Sequence, residues 1–217
     1  MIVVGNPHWI DARSDSRAAG LAVGVARAVR SAGADVQLVG KVGEDPAGEA
    51  ILLDLAHAGI GHVALLRDAG VVTPASAEAS EGLDLDRDMS STESPSDPPD
   101  VPGLDAGDIE LALRYLTDYR VIVIAQPLDD AALAAATSAA TWSNAALVVL
   151  VPSGREPPAG LPDTATVFEA PADDRDDTFA AMVGRFAAAL DRGEAPATAF
   201  AAVTTESGWA PASVDEA

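Results

Sequence analysis

Continuous apolar runs alternate with alanine-rich runs of helical spacing along most of the 217 residues. Residues 121–125 and 145–151 are apolar throughout, a pattern typical of strands in a parallel sheet that helices cover on both sides. Residues 18–32 repeat apolar side chains with the period of a helix and end at Gly33. The alternation predicts an α/β fold: one domain over residues 1–217, with a doubly wound, mainly parallel sheet and helices on both faces.

The predicted elements can be placed along the chain from these runs and from their flanking Gly, Pro and Asp residues. Predicted strands cover residues 2–5, 36–39, 62–66, 121–125, 145–151 and 164–169. Predicted helices cover residues 18–32, 46–58, 105–118, 129–141, 177–192 and 196–204.

The charge balance argues against two classes of partner. The chain has 13 Lys plus Arg against 34 Asp plus Glu, a formal net charge of −21. Nucleic acid and anionic membrane surfaces would repel it, so neither is an expected partner. The absence of cysteine excludes disulfides and thiolate metal sites. Residues 1–7 resemble a first strand and not a signal peptide, and we therefore expect a cytoplasmic protein.

Residues 73–103 differ in composition from the rest of the chain, because they are rich in Ser, Pro, Asp and Glu. Such a segment buries too little apolar area to offset its ordering entropy. We therefore expect a mobile acidic loop at 73–103. A lid or an acidic docking segment is the alternative interpretation.

Residues 172–179 contain four aspartates around Arg175, directly before a predicted apolar helix. Carboxylates at a helix N-terminus are stabilising by up to about 1 kcal/mol each, which gives the cluster a structural interpretation. A carboxylate that acts as a base, or that holds a metal in a cleft, is the chemical interpretation. The residues alone leave both open. His8 follows the first strand, at the edge where α/β sheets bind ligands.

Two stretches resemble the ribokinase-like (PfkB-type) carbohydrate kinases. Residues 33–49 contain Val-Gly-Lys-Val-Gly-Glu-Asp in place of the family's Val-Gly-x-Val-Gly-x-Asp, and Ala58-Gly59-Ile60 follows. Residues 174–179 lie where the family has Gly-Ala-Gly-Asp-Ala-Phe. The resemblance implies a Rossmann-like, three-layer ribokinase-like fold. It also implies ATP-dependent phosphoryl transfer to a sugar or nucleoside hydroxyl, with ATP and Mg²⁺ as cofactors.

The family's functional positions can be carried over one at a time. The resemblance implies that Asp177 is the catalytic base and that Asp11 binds hydroxyls of the substrate. Gly20 and Gly24 correspond to the substrate-binding Gly-Gly-x-x-x-Asn. The family's anion hole, where backbone N–H groups face the transferred phosphoryl, falls on Asp174, Arg175 and Asp176.

The departures from the family pattern bear on activity. Gly24 replaces the Asn side chain, and two carboxylates stand at the anion-hole positions. We expect the lid to be missing, reduced to about residues 12–18. Residues 152–158 form a short turn where the family has an Asn-x-x-Glu metal motif and a Gly-rich nucleotide loop, so part of the nucleotide half is missing as well. No metal ligands are predicted.

Three hypotheses follow from these observations. The first is a degenerate family member with weak or no kinase activity, acting as a small-ligand binding or interaction module. The second is a minimal active kinase that uses Asp177 as base. The third is a metal-binding or structural protein that uses the acids of residues 173–177. The expected partners are a small sugar or nucleoside and, through apolar helix faces, a second copy of the chain as a homodimer.

Overall fold

A computed structural model describes residues 1–12, 16–77, 103–174 and 176–206. Nine strands and six helices lie within these ranges. The strands are β1 (Ile2–Val4), β2 (His8–Asp11), β3 (Arg17–Ala19), β4 (Gln37–Gly43), β5 (Leu65–Asp68), β6 (Ala75–Ala77), β7 (Val121–Ile124), β8 (Ala146–Pro152) and β9 (Thr166–Ala170). The helices are α1 (Leu21–Ser31), α2 (Pro46–His57), α3 (Ala106–Tyr115), α4 (Asp130–Ser143), α5 (Thr178–Asp191) and α6 (Pro196–Glu206).

Six strands form the main sheet, in the order β5-β4-β1-β7-β8-β9, and every neighbouring pair is parallel. The predicted doubly wound α/β fold is therefore confirmed. Each predicted strand of this sheet is present, although the one expected at residues 62–66 lies at Leu65–Asp68.

Successive strand residues pack on opposite faces of the main sheet, because side chains alternate along a strand. Val3 and Val123 belong to the core on the side of α1, α2, α5 and α6, whereas Val4 and Ile124 belong to the core beneath α3 and α4. Phe186 of α5 is fully buried, which contributes about 1.5–3 kcal/mol. Both faces are therefore apolar, as the sequence predicts.

A second sheet contains three short strands in the order β3-β2-β6. We call it the lid sheet, because β2 follows β1 across the carboxyl edge of the main sheet. The expectation that the lid is missing is wrong, since residues 8–11 and 17–19 form an antiparallel pair and β6 adds a parallel strand. The lid sheet is small, but it is present.

The start of the acidic segment is ordered, which corrects the boundary of the loop predicted at 73–103. Thr73 is buried and residues 75–77 form β6. Residues 78–102 of that segment lie outside the described residues. Within the part of the chain that the structure describes, no helix is long and apolar enough to cross a membrane.

Candidate functional site

A cavity of about 480 Å³ lies between the lid sheet and the turn that joins β9 to α5. It is placed where the carboxyl ends of parallel strands meet, the usual ligand position in α/β folds. Polar side chains line it together with two glycines: His8, Arg17, Gly20, Gly24, Arg27, Asp173, Asp174 and Asp177.

One face of α1 forms a wall of this cavity. Gly24 and Arg27 lie four and seven positions after Gly20, a spacing that puts all three on one side of a helix. Gly20, at the helix N-cap, has a φ of 110°, and a Cβ there would lie 3.2 Å from His8 Nδ1. The chain therefore needs glycine at this position both for the backbone conformation and for the approach of the imidazole.

Asp174 caps α5. Its Oδ1 accepts a hydrogen bond from the Phe179 N–H and its Oδ2 accepts one from the Ala180 N–H, both at 2.9 Å. Free N–H groups at a helix N-terminus form a site that attracts anions, and here a carboxylate of the chain itself occupies two of them. For Asp174 the structural interpretation of the acid cluster is the one that the geometry supports.

Asp177 has a different environment from that of Asp174. Its backbone is left-handed, with a φ of 51°, and its side chain makes no capping hydrogen bond. The carboxylate is exposed at the cavity, beside Gly24, where a Cβ on the glycine would lie 3.2 Å from Asp177 Oδ1. The structure thus brings five of the residues singled out by the sequence to one cavity: His8, Gly20, Gly24, Asp174 and Asp177.

Asp11 is not brought into the cavity. It ends β2, opposite Ala77 in β6, and its exposed carboxylate accepts a hydrogen bond of 2.9 Å from Ser16 Oγ. Asp176 is exposed to solvent and is not among the lining residues. Arg175 lies outside the described residues.

An ion pair and burial limit the positive charge that Arg27 and His8 bring to the cavity. Arg27 Nη2 donates to Asp54 Oδ2 at 2.5 Å, and the same oxygen accepts the Ala18 N–H at 3.0 Å. Burial lowers the pKa of His8, which favours the neutral form of its imidazole. A neutral imidazole donates at one nitrogen and accepts at the other, which suits it to a hydroxyl group.

The described residues provide no group of three or more His, Asp or Glu side chains that could hold a metal ion. Asp173, Asp174 and Asp177 all line the cavity, but both carboxylate oxygens of Asp174 are engaged by backbone N–H groups of α5. The structure therefore adds no support to the hypothesis of a metal site at residues 173–177.

Arg17 and Arg27 line the cavity although the sequence analysis did not single them out. The spacing of Arg27 from Gly20 and Gly24 was a usable signal, since a helix places residues three, four and seven apart on one face. Arg17 offered no such signal, because its strand has only three residues and was not predicted.

Comparisons with known proteins agree with this fold. A model of the pfkB family of carbohydrate kinases matches residues 5–169. A crystal structure of a protein called Sa239 superposes with a TM-score of 0.63 at 13% identity, over 100% of this chain and 96% of that chain. A candidate ribokinase II from E. coli, in complex with ATP and Mg²⁺, gives 0.63 at 12% identity, over 93% of this chain and 89% of that one.

An uncharacterized sugar kinase from Pyrococcus horikoshii in complex with ATP superposes with a TM-score of 0.51 at 15% identity, over 69% of this chain. The match spans 52% of that kinase, about half of its length. At these identities the similarity shows the fold alone. A comparison with curated protein sequences finds no match. Because the family model matches most of the chain, from Gly5 through β9, the chain belongs to the pfkB family of carbohydrate kinases.

Proposed function

We propose that this chain is a degenerate member of the pfkB carbohydrate kinase family that binds a small sugar or nucleoside and transfers phosphoryl groups weakly or not at all. The observation that carries the proposal is the pair of hydrogen bonds from the Phe179 and Ala180 N–H groups to the Asp174 carboxylate. The position at which family members are expected to stabilise the transferred phosphoryl already holds a negative charge.

The energetics favour exclusion of a phosphate from this helix end. A helix N-terminus stabilises an anion by about 0.3–1 kcal/mol at the surface and by up to about 2 kcal/mol when partly buried. Two unit charges 4 Å apart repel by about 4 kcal/mol at an effective dielectric constant of 20. For a phosphoryl group that approached Asp174 to that distance, the repulsion would exceed what the helix end offers.

The described residues also fit the phosphates of ATP poorly at this helix end. The two N–H groups that would face a phosphate are already engaged by Asp174. Phosphoryl transfer depends almost wholly on positioning and on charge neutralisation, so the occupied N–H groups support weak or absent catalysis.

Ligand binding is supported by the cavity itself. Its volume of about 480 Å³ falls in the range of about 300–1,000 Å³ typical of small-molecule sites. The His8 imidazole can donate one hydrogen bond and accept another, and the exposed Asp177 carboxylate can accept hydrogen bonds from hydroxyl groups. A polyhydroxylated ligand is the class that this lining favours.

Calorimetric titration with ATP and ADP, with and without Mg²⁺, tests the proposal. We expect no detectable binding of either nucleotide up to millimolar concentration, and saturable binding of at least one member of a sugar and nucleoside panel. Asp174→Gly removes the carboxylate from the N–H groups and is expected to gain affinity for ATP. Asp176→Gly is the control, since Asp176 makes no cap to α5. Micromolar ATP binding together with turnover in the unaltered protein would contradict the proposal.

A minimal active kinase remains a second candidate, because the Asp177 carboxylate lies in the cavity beside Gly24, where a base could reach a substrate hydroxyl. ATP and Mg²⁺ would be its cofactors. If phosphorylation of any panel member is measured, Asp177→Asn should lower kcat by at least 10²-fold, a typical contribution of a general base. An unchanged rate in that variant would remove this candidate.

A further inference from the structure

We propose that Thr73 and Asp45 form a latch that sets the position of the lid sheet over the cavity. Thr73 is buried, and it lies two residues before the lid strand β6 and within hydrogen-bond distance of Gly43, the last residue of β4. Its Oγ1 accepts the Gly43 N–H at 2.8 Å, and its own N–H donates to Asp45 Oδ2 at 2.7 Å. We call these two hydrogen bonds the Thr73 latch.

The other oxygen of Asp45 holds the latch to α2. Asp45 is the N-cap of that helix, and its Oδ1 accepts the Gly48 N–H at 2.7 Å. One carboxylate therefore joins the start of a main-domain helix to the residue that precedes the lid strand β6. Both of its oxygens accept a backbone N–H, which fixes the side chain in one orientation.

The glycines on either side of Asp45 provide room for the latch. A Cβ on Gly43 would lie 2.6 Å from Asp45 Oδ2 and would also collide with the Val71 carbonyl. A Cβ on Gly48 would lie 3.1 Å from Thr73 Oγ1 and would collide with the Gly43 carbonyl. The spacing Gly-x-Asp-x-x-Gly thus matches the space that the Thr73 segment requires.

The pairing of β6 with β2 connects the Thr73 latch to the cavity. Directly after Thr73, the Pro74 carbonyl accepts the Trp9 N–H at 2.8 Å, and β6 then pairs with β2. His8, in β2, lines the cavity. A change at Thr73 is therefore transmitted through Pro74 to the strand that carries His8.

The opposite edge of the lid sheet has its own attachment. The Ala18 N–H of β3 donates to Asp54 Oδ2 of α2 at 3.0 Å. Because β3 and β6 are the two edge strands, the Asp54 contact and the Thr73 latch hold opposite edges of the lid sheet, while β2 between them packs against α2. Opening the latch would free the β6 edge while β3 stays attached, so that the lid sheet tilts. This inference does not depend on whether the chain binds or phosphorylates a ligand.

Amide hydrogen exchange on the full chain, read residue by residue by NMR, tests the latch. Thr73→Val keeps the shape of the side chain but removes the hydroxyl. We expect exchange of the Trp9 amide to accelerate at least tenfold, while exchange of the core Val123 amide stays within twofold of the unaltered protein. Asp45→Asn should accelerate Trp9 in the same way, although Asn remains a good N-cap for α2.

Two controls separate a positioning role from a general loss of stability. Thr73→Ser keeps the hydroxyl and should restore the unaltered Trp9 exchange rate. Val72→Ala changes the exposed neighbour of Thr73 and should leave Trp9 unaffected. Equal acceleration of Trp9 and Val123, unchanged Trp9 exchange in Thr73→Val, or failure of that variant to fold would each overturn the proposal.

Discussion

Asp174 and Asp177 lie three residues apart at the start of α5, yet their carboxylates do different things. Asp174 accepts two backbone N–H groups, whereas Asp177 makes no capping bond and is exposed at the cavity. The same residue type supports two interpretations in a sequence, because capping and chemistry both place carboxylates before a helix. Only the direction of each side chain separates them.

Loss of the Asp174 cap should cost stability. Asp174→Ala leaves the Phe179 and Ala180 N–H groups without their carboxylate, and an N-cap contributes about 0.5–2 kcal/mol. We expect the free energy of unfolding, measured by urea denaturation, to fall by about 1 kcal/mol. Asp176→Ala, at an exposed neighbouring position, is the matched control and should change it by less than about 0.5 kcal/mol. Equal losses in both variants would show that the cap is unimportant.

The resemblance to the family singled out Asp177, Gly20 and Gly24, and the structure places all three around one cavity. Asp11, which the resemblance also singled out, does not line that cavity. The short strand β2 turns away from the main sheet and carries Asp11 to the far end of the lid sheet. Distance along the chain from β1 could not reveal that turn.

At the scale of elements, the strands of the main sheet were predictable and those of the lid sheet were not. Strands such as β7 are apolar on both faces, which marks a buried parallel strand. The lid strands have three or four residues of mixed polarity, and β6 pairs with a strand more than sixty positions earlier. No local pattern encodes such a pairing.

Helices α1 and α5 approach closely enough to require glycine at Gly184. A Cβ there would collide with the Ala28 side chain and would lie 2.9 Å from the Val25 carbonyl oxygen. Gly184→Ala should therefore lower the free energy of unfolding by about 1–3 kcal/mol, although alanine has the higher helix propensity. Gly107→Ala in α3 is the control, because only a side-chain oxygen of Asp105 lies near, at 3.2 Å. That variant should be neutral or stabilising in chemical denaturation, and a loss matching that of Gly184→Ala would contradict the packing argument.

The N-cap of α2 gives the fold a dependence on acid. Burial alone would raise the pKa of Asp45, but hydrogen bonds from the Thr73 and Gly48 N–H groups and the Thr73 hydroxyl outweigh it and lower the pKa. A carboxyl with a lowered folded pKa contributes stability above its unfolded pKa and loses it as the pH falls through the folded value. When the pH is lowered from 5 to about 2, the free energy of unfolding of Asp45→Asn should therefore fall less than that of the unaltered protein. Identical pH profiles for the two proteins would contradict this assignment.

At the scale of the whole molecule, the dominant electrostatic feature is the net negative charge, since the chain has 34 acidic residues and only 13 basic ones. Ion pairs such as Arg30–Asp35 and Arg192–Glu194 are partly or largely exposed, and such pairs contribute about 0–1 kcal/mol each. Most acidic residues have no basic residue to pair with, so the net long-range term in the folded state is repulsive. Added salt weakens both the attraction within the ion pairs and the net repulsion, because the Debye length falls from about 30 Å at 0.01 M to about 8 Å at 0.15 M.

Screening of the net repulsion should outweigh screening of these few pairs, and the protein is expected to become more stable as salt is added. The melting temperature, followed by circular dichroism between 0.01 M and 0.5 M NaCl, should rise by several degrees, since about 1 kcal/mol corresponds to about 2–4 °C in a chain of this size. KCl at equal ionic strength should give the same curve, because screening does not depend on the identity of the cation. A falling melting temperature would mean that the ion pairs outweigh the net charge. A rise with NaCl but not with KCl would indicate a specific cation site instead of screening.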